Sequence, residues 1–342
     1  MKRIFAALMI IISLLTVVSG CQTLPAATTA ATTAASTTTP TTAAAAFPVT
    51  VQNAAGQDIV IESAPQSIVI TNVWAAEILL DLVDVSRIKG LSAWGDSAAV
   101  SAVADKAKAV AVRVATGEPE GIVSLNPDLV IIDTFSDPDG SLTKTLTDAG
   151  ATVLSMNSPT DFDQIKTAVA ALSAAVGEKA KGQAMIDEID SKLKAVSDKL
   201  SGLTDDQKLT AMYYDTSFED TSMLAAYGVG SPFDAIAKAA GLVNVCDAPN
   251  YSSVSKEKVV AEWKPEILVV AGLLYNADFS VTDDKGASMI ASIKANSLLQ
   301  TLPAVQNDRV FALTAMYAGS TSQYMADAVT ELAAAAYPDL FK

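Results

Sequence analysis

The most regular pattern of apolar and polar positions in this chain occurs twice, in residues 118–133 and 255–271. Each copy starts with a mixed segment of helical character, continues through a proline and ends in an unbroken apolar run of strand length. Continuous apolar runs are typical of parallel strands that are covered on both faces. Because a pattern that recurs along a chain indicates related structural units, the sequence predicts two related α/β lobes.

Helix boundaries can be assigned in both copies from four residues. Pro119 suits the first turn of a helix, because that turn leaves its N–H groups unused, and Ser255 can cap the free amides of the second helix. Pro127 and Pro265 then end the two helices. We therefore expect each short helix to lead directly into a buried strand.

The chain on either side of the first copy predicts a β-hairpin and three parallel strands. Alternating positions predict the hairpin, and short apolar runs predict the strands, at 49–61, 67–71, 88–91 and 129–133. In open α/β sheets, ligands bind outside the carboxyl ends of the strands. Trp74, Trp94 and Phe135 follow these ends, so we expect them at a ligand cleft. The alternative is plain packing, since aromatic side chains bury well anywhere.

Two helices are predicted in the middle of the chain, at 161–176 and 178–200. The second would be about 35 Å long at 1.5 Å per residue, which is enough to run along one side of both lobes. Apolar runs after these helices predict the strands of the second lobe, at 208–213, 266–271 and 309–313.

The first residues have the features of a bacterial lipoprotein signal. Lys2 and Arg3 precede an apolar run over 4–18, and small residues stand directly before Cys21. The run is shorter than the ~20 residues that a membrane helix needs. We therefore expect cleavage before Cys21 and lipidation of that cysteine, which would hold the protein outside the cytoplasm on the outer leaflet of the cell membrane. An uncleaved membrane anchor is the alternative.

The segment after the signal consists almost wholly of alanine and threonine with two prolines, which is typical of a tether. The rest of the chain is long for one compact core, in agreement with two lobes. The predicted parts are the signal peptide 1–20, the lipidated cysteine and tether 21–46, the first lobe 47–160, the connecting helices 161–201 and the second lobe 202–342.

Composition excludes several classes of function. The chain has no histidine, which rules out Ser-His-Asp and Cys-His catalysis and histidine ligation of a metal. A net charge of −15 argues against nucleic acid as a partner. With Cys21 lipidated, Cys246 has no cysteine to pair with, so we expect it to be a small buried residue. Since phosphate loops and dinucleotide motifs are also missing, we predict no enzymatic activity, no cofactor and no resident metal.

Four segments together carry a resemblance to a known family, and they are residues 64–70, 120–128, 255–258 and 302–311. They resemble the periplasmic binding proteins that serve ABC importers of iron–siderophore complexes and cobalamin, and the similarity spans 47–342. The resemblance implies an α/β fold of two Rossmann-like lobes joined by a single long, rigid helix. It also implies that a ligand is captured between the lobes with small lobe movements.

On this resemblance, tyrosines at the strand ends of the second lobe should line the wall opposite the two cleft tryptophans. They are Tyr213, Tyr214, Tyr275 and Tyr317. Tyrosine combines an apolar face with a hydroxyl group, which suits a bulky chelate or corrin. Because neighbouring residues on a strand point to opposite faces, one of the adjacent pair Tyr213 and Tyr214 should be a core residue.

The resemblance also implies one glutamate on each lobe that binds arginines of the membrane permease. Glu120 matches the first of them, seven positions before its proline. Glu257 matches the second when counted from the helix start, although Lys258 holds the strict position before Pro265. We favour Glu257, because an extra residue can be absorbed later in the helix. The alternative role of both glutamates is a favourable interaction with a helix N-terminus.

In the resembled family, members that take highly anionic chelates gather arginines in the cleft, whereas the arginines beyond the signal are only Arg87, Arg113 and Arg309. Arg113 could lie near the cleft and bind a carboxylate or hydroxamate group. The resemblance therefore favours a ferric hydroxamate or a corrinoid over strongly anionic chelates. The predicted protein is a monomeric, lipid-anchored receptor that serves an ABC permease dimer. The alternatives are an adhesive or structural lipoprotein, a receptor for haem or an oxyanion, and hydrolysis by a carboxylate pair.

Overall fold

The computed structural model describes residues 47–215, 224–275 and 281–342, without the side chain of Tyr275. The predicted signal peptide, Cys21 and the tether lie outside the described residues. The described residues belong to one compact unit that contains two separate large β-sheets.

The first sheet lies in the N-terminal half of the unit. The strands there are β1 (Val49–Gln52), β2 (Asp58–Ile61), β3 (Ile68–Ile70), β4 (Ile88–Ser92), β5 (Val112–Val114), β6 (Leu129–Asp133) and β7 (Val153–Met156). Strands β1 and β2 form the predicted antiparallel hairpin. The others form a parallel sheet in the order β5-β4-β3-β6-β7. Its helices are α1 (Val73–Leu82), α2 (Ala104–Ala107), α3 (Pro119–Val123) and α4 (Ser141–Asp148).

The second sheet is mixed. The strands of this half are β8 (Thr210–Asp215), β9 (Leu224–Tyr227), β10 (Val243–Asn244), β11 (Tyr251–Val254), β12 (Ile267–Ala271), β13 (Leu274–Tyr275), β14 (Val281–Thr282) and β15 (Val310–Leu313). The sheet order is β11-β9-β8-β12-β15, and β10 also pairs with β8. Strands β8, β12 and β15 are parallel, whereas β9 is antiparallel to both β8 and β11. The helices are α7 (Pro232–Ala239), α8 (Lys256–Lys258), α9 (Ala287–Ala295), α10 (Pro303–Gln306), α11 (Ala315–Ala318) and α12 (Met325–Ala336).

Two helices join the halves, α5 (Phe162–Ala175) and α6 (Lys179–Leu200). Helix α6 has 22 residues, so it is about 33 Å long. It packs against α5 and against α12 and α7 of the second half. The crossing with α5 is close at Gly182, where an added Cβ would lie 2.2 Å from Oγ of Ser173. The predicted long helix is therefore confirmed, together with the predicted pair of α/β lobes.

The central strands are buried on both faces, as their apolar runs predicted. On one face of the first sheet, Val69, Val130 and Ile132 pack with Ile122 and Leu146 from the covering helices. The alternate residues of the same strands join the larger core that includes the second sheet. The prediction that Cys246 is buried is also confirmed.

Both copies of the repeated pattern fasten the neighbouring central strand in the same way. The carboxylate of Asp128 accepts the amides of Gln66 and Ser67 at 2.7 and 3.0 Å, directly before β3. The carboxylate of Glu266 accepts the amide and the hydroxyl of Thr210 at 2.9 and 3.0 Å, at the start of β8. An acidic residue directly after each proline thus sets the register of a parallel pair.

Candidate functional site

The two lobes meet through a buried carboxylate. Glu77 on α1 has no exposed surface, and it accepts hydrogen bonds from the hydroxyls of Ser320 and Ser322, the latter at 2.6 Å. The amide of Ala102 donates to the same carboxylate at 2.8 Å. Burial raises the pKa of Glu77 to about 6, although these hydrogen bonds oppose the shift. This face of α1, which follows the carboxyl end of β3, is thus held against the segment between α11 and α12.

The contact continues one turn later on α1. Asp81 accepts hydrogen bonds from the side-chain amide of Gln323 at 3.0 Å and from the hydroxyl of Tyr324 at 2.7 Å. Lys106 forms an ion pair with the same carboxylate at 2.5 Å. The amide of Gln323 also donates to the backbone carbonyl of Glu77 at 3.0 Å. The lobe contact is therefore largely polar, and it joins α1 of the first lobe to the segment between α11 and α12 of the second.

Residues from both lobes also line a cavity of about 150 Å³. Ala99, which follows β4, forms the wall from the first lobe. Gly272, Leu313 and Thr314, at the carboxyl ends of β12 and β15, form the wall from the second lobe. Glu331 on α12 holds the amide of Thr314 at 3.1 Å. The cavity is smaller than the usual small-molecule sites of about 300–1,000 Å³, so a bulky chelate does not fit it as it stands.

The predicted aromatic residues of the first lobe occupy different environments. Trp94 is 44% exposed and Phe135 is 89% exposed, and both follow carboxyl ends of strands. Trp74 is only 5% exposed, and its indole N–H donates to the carboxylate of Asp133 at 2.7 Å. That carboxylate also accepts the amide of Phe135 at 2.7 Å and the hydroxyl of Ser158. In this structure Trp74 is a packing residue, whereas Trp94 and Phe135 present surface at the sheet edge.

The structure does not support the expectation that Arg113 presents a free cation to the cleft. Its guanidinium pairs with the carboxylate of Asp96 at 2.6 and 2.5 Å. It also donates to the carbonyls of Ala107, Val110 and Val112 at 3.0, 2.6 and 3.1 Å. The hydrogen bonds with Arg113 are the main reason that the pKa of Asp96 is lowered. The sequence did not indicate this pairing, because Asp96 lies in the turn after β4 and comes close to Arg113 only through the pairing of β4 with β5.

The adjacent tyrosines of β8 point to opposite faces, as expected for a strand, and both are buried. Burial raises the pKa of the Tyr214 hydroxyl to about 12. Tyr213 contacts the ring of Tyr227, with ring centroids 4.9 Å apart, and the ring of Phe233 at 5.3 Å. Neither residue of the pair therefore forms an open wall, although Tyr213 belongs to a larger aromatic group.

That group includes two tyrosines that the sequence reasoning missed. Tyr213, Tyr227 and Tyr251 stand side by side on β8, β9 and β11, so they form a row across three strands. The rings of Tyr227 and Tyr251 are 4.8 Å apart. Tyr251 is 50% exposed, and its hydroxyl donates to Asp215 at 3.3 Å. Burial raises its pKa to about 12. Only the strand pairing, which the sequence did not indicate, brings the row together.

The last two predicted tyrosines lie after strands of the second lobe. Tyr317 is on α11 and is partly buried against the core. The neighbouring Met316 lines the cavity between the lobes. Tyr275 ends the short strand β13, and its side chain lies outside the described residues.

The predicted docking glutamates occupy equivalent helix starts. Glu120 is exposed in the first turn of α3, and Glu257 is exposed in the first turn of α8. Each helix segment ends at a left-handed residue directly before its proline, Asn126 with φ 47° and Lys264 with φ 42°.

The helix after Glu257 contains the extra residue. A π-helical turn spans Val259–Trp263, and the amide of Lys264 donates to the carbonyl of Val259 at 2.9 Å, five residues back. Such a turn holds one residue more than an α-helical turn. Lys258 is already engaged, because its ammonium pairs with Asp247 at 2.8 Å and lies 4.6 Å from the ring centroid of Trp263.

The described part of the chain offers neither a metal site nor a membrane-spanning helix. Within residues 47–215, 224–275 and 281–342, no group of three or more acidic or cysteine side chains could hold a metal ion. In the same ranges, no helix combines the length and the apolar character needed to cross a bilayer.

Comparison with known proteins then assigns the family. The model of the family named periplasmic binding protein matches residues 68–317. The chain belongs to the periplasmic binding protein family. This is a family of solute-binding proteins and not of enzymes, and the resemblance given by the sequence is thereby confirmed.

Curated members of related sequence are distant. The uncharacterized ABC transporter substrate-binding lipoprotein YvrC of Bacillus subtilis is 24% identical over 304 residues, which cover 86% of this chain and 88% of that protein. A cobalamin-binding protein of Halobacterium salinarum is 26% identical over 235 residues, which cover 65% of this chain and 58% of that protein.

Solved structures of periplasmic binding proteins share the fold. The molybdate periplasmic binding protein MolA of Haemophilus influenzae matches with a TM-score of 0.69 at 17% identity, covering 86% of this chain and 92% of that one. The periplasmic heme-binding protein RhuT of Roseiflexus matches with a TM-score of 0.65 at 22% identity, covering 80% of this chain and 99% of that one. At these identities the likeness shows the fold alone.

Proposed function

We propose that this periplasmic binding protein is a monomeric, lipid-anchored receptor of an ABC importer. It captures a ferric siderophore or a cobalamin-like chelate between its lobes and delivers it to the permease. The observation that carries the proposal is that the helix following β3 and the segment following β15 and α11 meet at one polar contact, and that residues of both lobes line one cavity. The names of the Bacillus and Halobacterium relatives, a substrate-binding lipoprotein and a cobalamin-binding protein, agree with this role.

The character of the cleft surface supports a ligand of low charge. Trp94 and Phe135 present aromatic surface at the edge of the first sheet, which suits a bulky organic exterior. The guanidinium of Arg113 is paired with Asp96, and Lys285 at the cavity is paired with Asp283 at 2.5 Å. Paired cations attract an anionic ligand weakly, so ferric hydroxamates and corrinoids are favoured over catecholates and oxyanions.

Tryptophan fluorescence can test ligand capture, because the three tryptophans differ in position. Trp94 is exposed at the sheet edge and Trp74 is buried. Trp263 lies in the π-helical turn, where its ring contacts the ammonium of Lys258. We expect one class of chelate to quench the fluorescence of the full-length protein in a saturable manner. The quenching should be lost in Trp94→Phe and kept in Trp263→Phe. Equal quenching in both variants would show that the chelate does not bind at Trp94.

We also propose Glu120 and Glu257 as the permease-docking residues. The π-helical turn supports Glu257 over Lys258, because it takes up the extra residue after Glu257. Uptake by cells should be abolished in the double variant Glu120→Gln with Glu257→Gln, while ligand affinity in solution stays unchanged. The matched control is Lys258→Gln, which should retain uptake. Unchanged uptake in the double variant would disprove the docking assignment.

Lipidation of Cys21 completes the proposal. It is supported by the signal-like sequence before this residue and by the lipoprotein name of the Bacillus relative. We expect Cys21→Ser to move the protein from the membrane fraction to the medium or periplasm. Retention of the variant in the membrane fraction would favour an uncleaved anchor.

A further inference from the structure

We propose that Arg113 is a positioning residue that fixes the turn carrying Trp94, and that it does not bind the ligand itself. The effect on affinity rests on the proposed function, whereas the effect on the turn does not. The guanidinium of Arg113 joins three segments of the first lobe.

Every N–H donor of Arg113 is accounted for. A guanidinium has five such donors in a planar fork. Nε and one donor of Nη2 bind the carboxylate of Asp96 at 2.6 and 2.5 Å, and Nη2 also donates to the carbonyl of Ala107 at 3.0 Å. Nη1 donates to the carbonyls of Val110 and Val112 at 2.6 and 3.1 Å. A ligand could therefore reach this group only by displacing bonds within the protein.

The bonded groups connect the turn Ala93–Asp96 to the chain between α2 and β5. Gly95 in this turn is buried, and a Cβ added there would lie 3.8 Å from Cβ of Ala107. The turn is thus held down at the two residues that directly follow Trp94, whose side chain is 44% exposed. The bidentate pair fixes the direction as well as the distance between the turn and β5.

The charges of Arg113 and Asp96 cancel locally, and the pair stays ionised across the physiological range because Asp96 has a lowered pKa. Removing either partner should have the same consequence, since each removes the same bidentate contact. A ligand-binding arginine would behave differently, because loss of Asp96 would release its charge toward an anionic ligand. The two roles therefore predict opposite effects of Asp96→Asn on the affinity for an anionic ligand: a loss if Arg113 is a positioning residue, and a gain if it binds the ligand.

The test uses Arg113→Gln, Arg113→Lys, Asp96→Asn and the double variant Arg113→Gln with Asp96→Asn, all in the full-length protein. The first measurement is acrylamide quenching of the Trp94 fluorescence, which needs no ligand. The contribution of Trp94 is obtained by subtracting the fluorescence of the same variant that also carries Trp94→Phe. We expect quenching to rise in every variant, up to about twofold because 44% of the side chain is already exposed. The double variant should rise no further than the single variants. Unchanged quenching would overturn the proposal.

The second measurement compares affinities for cyanocobalamin, which is neutral, and for an anionic ferric tris-catecholate. If Arg113 is a positioning residue, Arg113→Gln and Asp96→Asn should lower the affinity by a similar factor, whichever of the two ligands binds. Arg113→Lys should resemble Arg113→Gln, since lysine keeps the charge but lacks the fork. A loss confined to the catecholate in Arg113→Gln, with a gain in Asp96→Asn, would show a ligand-binding role instead. If neither ligand binds, cobalamin and catecholates are excluded as ligands, while the quenching result still decides the positioning role.

Discussion

Protonation of Glu77 should make the stability of this protein depend on pH in a direction opposite to that caused by most carboxylates. Glu77 is fully buried at the lobe contact, and burial raises its pKa from 4.5 to about 6. Between these two pH values the folded chain holds a proton that the unfolded chain has released. Stability from this group is therefore greatest below pH 4.5 and falls as the pH rises through 6.

The size of the effect follows from the two pKa values. A difference between 4.5 and about 6 corresponds to about 2 kcal/mol of unfolding free energy. For the roughly 300 residues of the folded unit, this equals about 3 °C in melting temperature. Replacing Glu77 with glutamine removes the titration and keeps the shape of the side chain. We expect the stability of the wild type relative to Glu77→Gln to fall by about 2 kcal/mol between pH 4.5 and pH 8.

Denaturant unfolding of both proteins at a series of pH values measures this difference. Exposed carboxylates with lowered pKa values, such as Asp84 and Asp105, titrate in both proteins, so their contributions cancel in the difference between the two unfolding free energies. A difference between the wild type and Glu77→Gln that stays constant or grows with pH would refute the argument from burial.

Two further substitutions test the packing. Gly182→Ala should lower the unfolding free energy by about 1–3 kcal/mol, because the added Cβ would meet Ser173 where α5 and α6 cross. The control Gly202→Ala places its Cβ in open space and should leave the unfolding free energy nearly unchanged. Equal melting temperatures of the two variants would contradict this. Trp74→Phe should cost about 1–3 kcal/mol by removing the buried N–H that donates to Asp133, while chelate affinity stays near that of the wild type. A variant as stable as the wild type but with lost affinity would instead place Trp74 in the ligand site.

Much of the fold could be predicted from local features of the sequence. The start of α3 at Pro119, the cap at Ser255 and the buried strands after both prolines depend on neighbouring residues, and the structure confirms them. The extra residue before Pro265 was also visible as a spacing difference. The sequence indicates that the helix has to take up one extra residue. It does not indicate where the π-helical turn lies, because several positions along the helix could have taken up that residue.

The site was harder to predict because it depends on partners that are distant in sequence. Ser320 is 243 residues from Glu77, and nothing around Glu77 indicates that this carboxylate is buried against another lobe. Likewise, the position of Arg113 shortly before the helix that starts at Pro119 suggested a place near the cleft, whereas its guanidinium binds the carboxylate of Asp96. Tyr251 joined the aromatic row only through antiparallel pairing that local patterns do not specify.

The most direct test of the proposed receptor function is a calorimetric titration of the full-length protein with ferric hydroxamates, ferric catecholates, cobalamin and haem. We expect saturable binding of a ferric hydroxamate or a corrinoid at one site per chain. Affinity should be micromolar or tighter, and Trp94→Phe should weaken it. Absence of binding across the panel by folded protein, or tight binding of the catecholate alone, would contradict the proposed receptor for a weakly charged chelate.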